Sequence, residues 1–270
     1  MSTLHAIILG LVEGITEFLP VSSTGHLILT RTLLQLQGAA LDRLLIVIQG
    51  AAILAVCWEY RQRLWDTATL FFSQPTARGF VLNLFIAFLP LAILGLLFEH
   101  SIERVLFAPI PVALALVIGG ILILWAEKRP HSESISTVEQ LTPLTALKLG
   151  LFQALALLPG TSRSAATIIG GLLMGMSRRA ATEFSFFLAI PTLLAATAYQ
   201  LWMGRKEMSL AEVQPLLISS AVAFISALIA VRMLLRYVSR HSFAVFAWYR
   251  IIFGVIVLIA SGFGWAHLSR

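Results

Sequence analysis

Charged residues are scarce in this chain. Of its 270 residues, 12% are charged, whereas a soluble domain averages about 25%. Hydrophobic residues make up 59%, and the mean hydropathy is +0.90. This composition excludes an ordinary soluble domain and indicates an integral membrane protein. The net charge of +6 suits an anionic lipid surface or substrate, but basic residues in cytoplasmic loops are the favoured explanation of the net charge taken alone. We expect membrane lipids, and no nucleic acid, as partners.

Cysteine is nearly absent, and no secretory signal is expected. Cys57 is the only cysteine, so an intramolecular disulfide is excluded. The first apolar run carries two glutamates in place of a small-residue cleavage site, and no basic segment precedes it. We therefore expect no signal peptide to be removed.

Long apolar runs are abundant. A membrane span needs about 20 mostly apolar residues, and somewhat shorter runs pass when flanking side chains reach the interface. Tryptophan and tyrosine cluster near the ends of these runs, as expected of aromatic belts. The sequence therefore predicts an all-α membrane protein with about six transmembrane helices. The predicted spans are Leu44–Trp58, Phe80–Phe98, Pro111–Trp125, Phe184–Trp202, Pro215–Leu235 and Phe243–Trp265.

Two further stretches, 5–36 and 144–176, are too short or too polar to span, and they resemble each other. "GLVEGITEFLPVSSTGHLIL" and "GLFQALALLPGTSRSAATII" each contain an acid or amide, a Leu-Pro and a turn of small and hydroxyl residues. Aligning the prolines gives an offset of 139 residues, which pairs Ser22–Ser23 with Thr161–Ser162 and needs a one-residue gap before the prolines.

This likeness predicts an inverted-topology repeat within one membrane domain. Each half would hold one re-entrant helical hairpin followed by three spans, with half 1 at about 1–127, a linker at about 128–141 and half 2 at about 142–270. Three spans leave the second half starting on the opposite side of the membrane, so both broken hairpins should meet near the midplane. Helix-breaking turns at membrane depth occur only where protein or a wet cavity surrounds them.

The distribution of basic residues predicts the orientation. Loops 59–79, 128–143 and 236–242 contain seven Lys or Arg residues, and loops 99–110 and 204–211 contain three. By the positive-inside rule the first set is cytoplasmic.

Two carboxylates, Glu13 and Glu17, lie four residues apart in an apolar helical context, so they face the same side one turn apart. Like charges at that spacing suit a hard divalent cation such as Mg²⁺ or Ca²⁺. The alternative, a solvated helix face, conflicts with the apolar neighbours, and ionisable residues in membrane segments are usually functional.

Arg163 lies in the sequence Leu-Pro-Gly-Thr-Ser-Arg-Ser between apolar segments. An arginine at membrane depth costs about 2.5–3.5 kcal/mol on insertion scales, so it needs an anionic partner. That partner is either a phosphate, which a guanidinium binds with two hydrogen bonds, or a structural salt bridge to Glu13 or Glu17.

The two turns resemble anion-binding sites at helix N-termini. Pro20 and Pro159 end one half-helix, and Ser23 and Ser162 are predicted N-caps of the next. Free backbone N–H groups and the helix dipole favour a phosphate there. Ordinary capping is the alternative for each hydroxyl taken alone. The predicted phosphate-binding hydroxyls are Ser22, Thr24, Ser162, Ser164 and Thr167.

His26 follows at the start of the second half-helix. Its imidazole could act as general acid, general base or nucleophile toward phosphorus, and the alternative is a hydrogen-bonded packing residue.

These motifs closely resemble the bacterial undecaprenyl-diphosphate phosphatases, the bacitracin-resistance family. The resemblance rests on Glu13-x-x-x-Glu17, Pro-Val-Ser-Ser-Thr-Gly-His, Pro-Gly-Thr-Ser-Arg-Ser-x-x-Thr and "MGMSRRAATEFSFFLAIP" at 174–191, and covers nearly the whole chain. It implies that the chain recycles the C55 lipid carrier of peptidoglycan synthesis by converting undecaprenyl diphosphate to undecaprenyl phosphate and inorganic phosphate, and that it confers resistance to bacitracin, which competes for that substrate.

The same resemblance implies a divalent cation, a location in the bacterial inner membrane and a site open to the extracytoplasmic side. It assigns functional roles to Glu13, Glu17, Ser23, His26, Ser162, Arg163 and Thr167. Glu17, Ser23, His26 and Arg163 are the predicted catalytic residues, with Glu13 and Glu17 as metal ligands. The attacking group is left open between Ser23 activated by His26, His26 itself and metal-bound water. A homodimer is left open too. The main alternative function is a lipid-phosphate transporter or flippase that uses the same site.

Overall fold

The structure, a computed structural model, describes residues 1–106, 108–129, 133–205 and 209–262. Within these ranges the chain is helical, and its one extended pairing is an isolated bridge between Ile135 and Met176. Single 3-10 turns occur at Val138–Gln140 and Leu155–Leu157. The α-helices of the described ranges are α1 (Thr3–Thr16), α2 (Ser23–Leu33), α3 (Ala39–Glu59), α4 (Arg61–Leu70), α5 (Pro75–Leu106), α6 (Pro109–Lys128), α7 (Pro143–Ala154), α8 (Arg163–Leu173), α9 (Arg178–Gly204), α10 (Leu210–Val238) and α11 (Ala244–Gly262).

Six helices are long and apolar enough to cross a membrane, namely α3, α5, α6, α9, α10 and α11. They coincide with the six predicted spans, which are thereby confirmed, although α3, α5, α6, α9 and α10 extend beyond the apolar runs at both ends. Capping and polar residues continue a helix past its apolar core, so hydrophobicity alone underestimates its length. The predicted end of the last span at Trp265 lies outside the described residues. Large apolar side chains such as Leu96 and Ile229 face outward, as a lipid-facing surface requires.

One predicted loop, 59–79, contains a helix. Helix α4 has no buried residue, and Trp65 is 68% exposed. Its Arg63 guanidinium lies 5.2 Å from the centre of the Phe80 ring and 4.9 Å from that of Phe187. Charge excludes this segment from the membrane core but does not prevent helix formation, and a solvent-facing helix with aromatic residues suits a membrane interface.

Two short helical pairs, α1–α2 and α7–α8, form the predicted hairpins. Helix α1 packs mainly against α10, and α7 packs mainly against α5, while α3 contacts α9 and α6 contacts α11. Each hairpin therefore packs on a helix from the other part of the chain. The division into halves at 1–127 and 142–270 stays a prediction, and residues 130–132 of the linker lie outside the described ranges.

Glycine permits the close approach of each hairpin to its partner helix. A Cβ atom on Gly10 would lie 2.4 Å from the Ser219 carbonyl oxygen, and one on Gly150 would lie 2.4 Å from that of Ala87. Helix association in membranes depends on such van der Waals contact between small residues.

The equivalence of Gly10 and Gly150 corrects the predicted alignment. These glycines lie 140 positions apart, as do the N-cap residues Ser22 and Ser162 (162 − 22). The offset of 139 is therefore wrong by one residue, and no gap is needed. The helix starts and the glycine contacts both give an offset of 140, so Pro20 corresponds to Gly160. The prolines Pro20 and Pro159 therefore occupy different positions in the two turns.

We predict that Gly150→Ala lowers stability by about 1–3 kcal/mol, because the added methyl group overpacks a helix contact. Gly79→Ala is the matched control, since a Cβ atom there meets nothing within 4 Å, and helix propensity makes it neutral or slightly stabilising. Thermal unfolding of the two purified variants in detergent measures the difference. Equal melting temperatures would contradict this account of the α5–α7 contact.

Candidate active site

The two hairpin turns have the same backbone construction. Ser22 has a φ of 74° and Ser162 a φ of 71°, a left-handed conformation that is strained for residues other than glycine. Ser22 Oγ accepts a hydrogen bond from the Gly25 N–H (3.4 Å), and Ser162 Oγ accepts one from the Ala165 N–H (3.3 Å). The prediction of Ser162 as an N-cap is confirmed. The prediction of Ser23 is wrong, because the reversing residue Ser22 caps α2 and Ser23 becomes its first helical residue.

Glu17, at the end of α1, accepts a hydrogen bond from Ser23. The Ser23 hydroxyl lies 2.5 Å from Glu17 Oε2, and both residues are 7% exposed. A carboxylate at this distance orients the hydroxyl and can accept its proton. The first hairpin thus supplies a hydroxyl and its base.

Arg163 reaches the same carboxylate from the second hairpin. Its Nε and Nη2 atoms each lie 3.4 Å from Glu17 Oε1, and Nη1 donates to the Ser185 carbonyl at 3.0 Å. Only 8% of the Arg163 side chain is exposed. The salt bridge considered in the sequence analysis therefore exists, and Arg163 and Ser23 meet on opposite oxygens of Glu17.

Glu13 is fully buried beside this group. Neither of its carboxylate oxygens makes a hydrogen bond of standard geometry, but the carboxylate lies beside that of Glu17, close enough to share a proton or a cation with it, and interacts electrostatically with Arg163. A buried carboxylate without such a hydrogen bond needs a proton or a cation. Glu13 and Glu17 therefore fit a divalent cation. Within the described ranges no third acidic, His or Cys residue joins them, so water or substrate oxygens would have to complete the coordination.

His26 has other partners than Ser23. Its Nδ1 lies 2.7 Å from the Ser22 carbonyl oxygen, and its Nε2 lies 2.7 Å from the Tyr249 hydroxyl. The Phe253 ring stacks on the imidazole with ring centres 4.4 Å apart. A carbonyl only accepts, so Nδ1 carries the proton. The structure places His26 next to α11, and the hydrogen bonds of its ring go to Ser22 and Tyr249 and not to Ser23.

The remaining predicted hydroxyls differ in their surroundings. Ser164 Oγ donates to the Leu19 carbonyl at 2.9 Å, which joins the two turns. Thr167 Oγ1 lies 2.7 Å from Ser185 Oγ and 3.0 Å from the Arg163 carbonyl oxygen, behind the guanidinium. Thr24 is half-buried at the start of α2.

Sequence reasoning missed Ser185, Tyr249 and Arg250. Ser185, on α9, accepts from Arg163, and Tyr249, on α11, contacts His26. Nothing distinguishes these two from other polar residues in apolar spans. Arg250 did carry a signal, because an arginine inside a predicted span is expensive and usually functional.

Together these buried side chains bring a hydroxyl, a carboxylate that accepts its hydrogen bond and a guanidinium to one place. Helices α2 and α8 both begin at the site, so that the backbone N–H groups of their first turns lie there, an arrangement suited to binding an anion. Such a set can hold a phosphoryl group and stabilise the charge that develops when it is transferred.

The comparison with known proteins agrees with this chemistry. The family model described as bacitracin resistance protein BacA matches residues 6–256. An undecaprenyl-diphosphatase from Dechloromonas aromatica is 57% identical over 264 residues, which cover 98% of this chain and 96% of the relative. An undecaprenyl-diphosphatase from Nitrosospira multiformis is 58% identical over 266 residues, with 98% and 97% covered. The chain therefore belongs to the bacitracin resistance protein BacA family.

Proposed function

We propose that this protein hydrolyses undecaprenyl diphosphate to undecaprenyl phosphate and inorganic phosphate. The observation that carries the proposal is the contact of Ser23 and Arg163, from two different hairpins, with one buried carboxylate, Glu17. A binding site for a lipid phosphate needs a cation and amides but no hydroxyl on a base. The names of the relatives, undecaprenyl-diphosphatase, supply the substrate.

Arg163 exchanges partners during the cycle. Without substrate its guanidinium neutralises Glu17 at 3.4 Å, which is long for a charge-assisted hydrogen bond. A terminal phosphate offers more charge and two oxygens in the geometry that a guanidinium prefers. We infer that the phosphate displaces Glu17 from Arg163 and that Glu17 then becomes a stronger base for Ser23.

Ser23 is the proposed nucleophile and Glu17 its base. The Ser23 oxygen forms a bond to the terminal phosphorus, its proton passes to Glu17, and the bond from that phosphorus to the bridging oxygen breaks, which releases undecaprenyl phosphate. Glu17 passes that proton to the departing undecaprenyl phosphate and so becomes a base again. Water then gives a proton to Glu17 as it attacks the phosphoserine, the phosphorus–Ser23 bond breaks, Glu17 returns the proton to the Ser23 oxygen, and inorganic phosphate leaves. His26, bonded to Ser22 and Tyr249, supports the turn in this scheme.

Glu13 and Glu17 are the proposed ligands of a divalent cation, Mg²⁺ or Ca²⁺. The support is the buried Glu13 carboxylate, whose oxygens make no hydrogen bond of standard geometry. When bound, the cation would neutralise charge on the diphosphate and lower the repulsion between the two carboxylates.

The proposed setting is the bacterial inner membrane with the site open to the extracytoplasmic side, where the lipid carrier would be recycled for peptidoglycan synthesis. Bacitracin resistance fits the family. The orientation rests on the excess of basic residues at 59–79, 128–143 and 236–242. A cysteine replacing Asp66 in a Cys57→Ser background should resist an impermeant thiol reagent in intact cells, and one replacing Arg205 should react. The reverse pattern would refute the orientation.

The first experiment measures phosphate release from undecaprenyl diphosphate by the purified protein. We expect turnover by the wild type and a loss of about 10²–10³-fold in kcat for Arg163→Ala, comparable to removal of a charge-stabilising donor. Arg232→Ala is the control, because Arg232 pairs with Glu59 on the protein surface, 47% exposed. A folded wild-type protein without turnover would remove the enzyme proposal and leave lipid transport as the alternative.

A second prediction separates Ser23 from His26. Substrate with radioactive phosphorus in its terminal phosphate, quenched during turnover in a neutral denaturant that preserves both phosphoserine and phosphohistidine, should leave label on Ser23. We expect Ser23→Ala to lose at least about 10³-fold in kcat and His26→Gln less than about 10²-fold. Thr32→Ala, which removes a hydroxyl bonded only to the Ile28 carbonyl, controls for loss of a helix α2 hydroxyl. Label on histidine, or none in a rapidly quenched wild type, would contradict Ser23 as nucleophile.

A third prediction concerns the cation and does not depend on activity. Saturating Mg²⁺ or Ca²⁺ should raise the melting temperature of the wild type. At a hundredfold excess of the cation over Kd, the free energy of unfolding should increase by about 2.7 kcal/mol. Glu13→Gln should abolish this increase, whereas Glu139→Gln, at a partly exposed surface carboxylate, should retain it. An equal increase in both variants would place the cation elsewhere.

A further inference from the structure

Among the residues whose burial the structure describes, Arg250, on α11, has the largest completely buried side chain. Its guanidinium donates only to backbone carbonyl groups. Nε donates to Leu116 (3.3 Å), Nη1 to Pro20 (3.3 Å), and Nη2 to Ala115 (3.2 Å) and Gly160 (3.0 Å). One side chain thus connects α6 with the turns of both hairpins.

This arrangement is not a salt bridge. In the described part of the chain no ion pair joins Arg250 to a carboxylate, and the side chain is completely buried. A buried cation without a counter-charge is expensive, and leucine or methionine would fill the same volume at lower cost. The four carbonyl contacts therefore need a reason beyond packing.

The two turn carbonyls are equivalent positions of the repeat. Pro20 and Gly160 lie 140 residues apart, and each precedes a strained N-cap serine, Ser22 or Ser162, by two residues. Strained backbone persists only where its surroundings hold it. Arg250 binds the chain just before both strained residues, so it holds the two turns at one fixed separation.

That separation determines the geometry of the site. Ser23 and Arg163 directly follow the strained serines, and both contact Glu17. We propose that Arg250 is a positioning residue. It fixes the two turns relative to each other and thereby fixes the position of Ser23 relative to Arg163. This inference rests on the proposed phosphatase function for its kinetic consequences, and on the four hydrogen bonds for its structural ones.

Neighbouring glycines on α6 provide a test that leaves Arg250 in place. A Cβ atom on Gly119 would lie 2.2 Å from Arg250 Nη2, so Gly119→Ala must displace the guanidinium. A Cβ atom on Gly120 would lie 2.7 Å from the Ala247 carbonyl oxygen, 2.7 Å from Ile251 Cγ1 and 3.4 Å, an ordinary van der Waals distance, from Arg250 Cβ. Gly120→Ala therefore disturbs the same α6–α11 contact without touching the guanidinium, and it is the matched control.

The experiment compares Arg250→Met, Arg250→Lys, Gly119→Ala and Gly120→Ala with the wild type. Two quantities are measured on the folded fraction of each: kcat and KM for undecaprenyl diphosphate, and hydrogen–deuterium exchange in peptides covering 18–26 and 158–167. A misplacement of about 1 Å at a reacting group costs on the order of 10²-fold. We expect kcat to fall about 100-fold in Arg250→Met with a small change in KM, and exchange to rise in both turns together.

We expect Arg250→Lys to be intermediate, since an ammonium has three donors on one atom and cannot span carbonyls on three elements. Gly119→Ala should follow Arg250→Met in direction, and Gly120→Ala should lower the melting temperature while kcat stays near the wild-type value. If Arg250→Met and Gly119→Ala keep kcat within about threefold of the wild type, or if exchange rises in one turn alone, the inference is overturned. If the wild type shows no turnover, the phosphatase proposal fails instead, and the exchange of the two turns alone decides whether Arg250 locks them.

Discussion

The structure depends on one buried carboxylate, Glu17, which two turns far apart in the chain approach from opposite sides. Ser23 donates a hydrogen bond to one carboxylate oxygen, and Arg163, which is 146 residues from Glu17 in sequence, donates to the other. Each of these two charges compensates the burial of the other, because an unpaired ion in a low-dielectric interior is strongly destabilising. Closing this pair therefore forces the two hairpins together, and with them the helices on which they pack.

The two hairpins have the same backbone but different side chains. At positions 140 apart, Glu13 corresponds to Gln153, and Ser23 to Arg163. Both carboxylates and the proposed nucleophile come from the first hairpin, and the guanidinium comes from the second. The two turns have the same backbone conformation, and because their side chains differ, they bring opposite charges together at Glu17. A repeat with identical side chains would place like charges together at its centre.

Helix α11 has a larger part in the site than its apolar sequence suggests. Tyr249 contacts His26 and Arg250 contacts both turns, although the two are neighbours in a span of otherwise apolar character. Gly119 leaves the space that the Arg250 guanidinium occupies. Carbonyl groups freed where a membrane helix breaks need donors from within the protein. For Pro20 and Gly160, that donor is Arg250.

Much of the fold follows from patterns within the sequence. Hydrophobic length alone locates all six candidate spans, because a membrane requires a fixed run of apolar residues. The likeness of the stretches at 10–29 and 150–169 indicates two broken hairpins, since a proline together with a run of small and hydroxyl residues favours a turn. The spacing of Glu13 and Glu17 places both carboxylates on one helix face. For these features short-range rules suffice.

The sequence by itself determined which residues carry charge and hydroxyl groups in the membrane, and so the class of chemistry. Only the tertiary structure decided which of these side chains contact one another. It showed a repeat offset of 140 residues and an N-cap at Ser22 in place of Ser23. It also showed that Ser23 hydrogen-bonds to Glu17 and His26 to Tyr249. It also revealed Arg250 between the two turns. These pairings join residues up to 230 positions apart, and their partners depend on how helices pack, which no local pattern encodes.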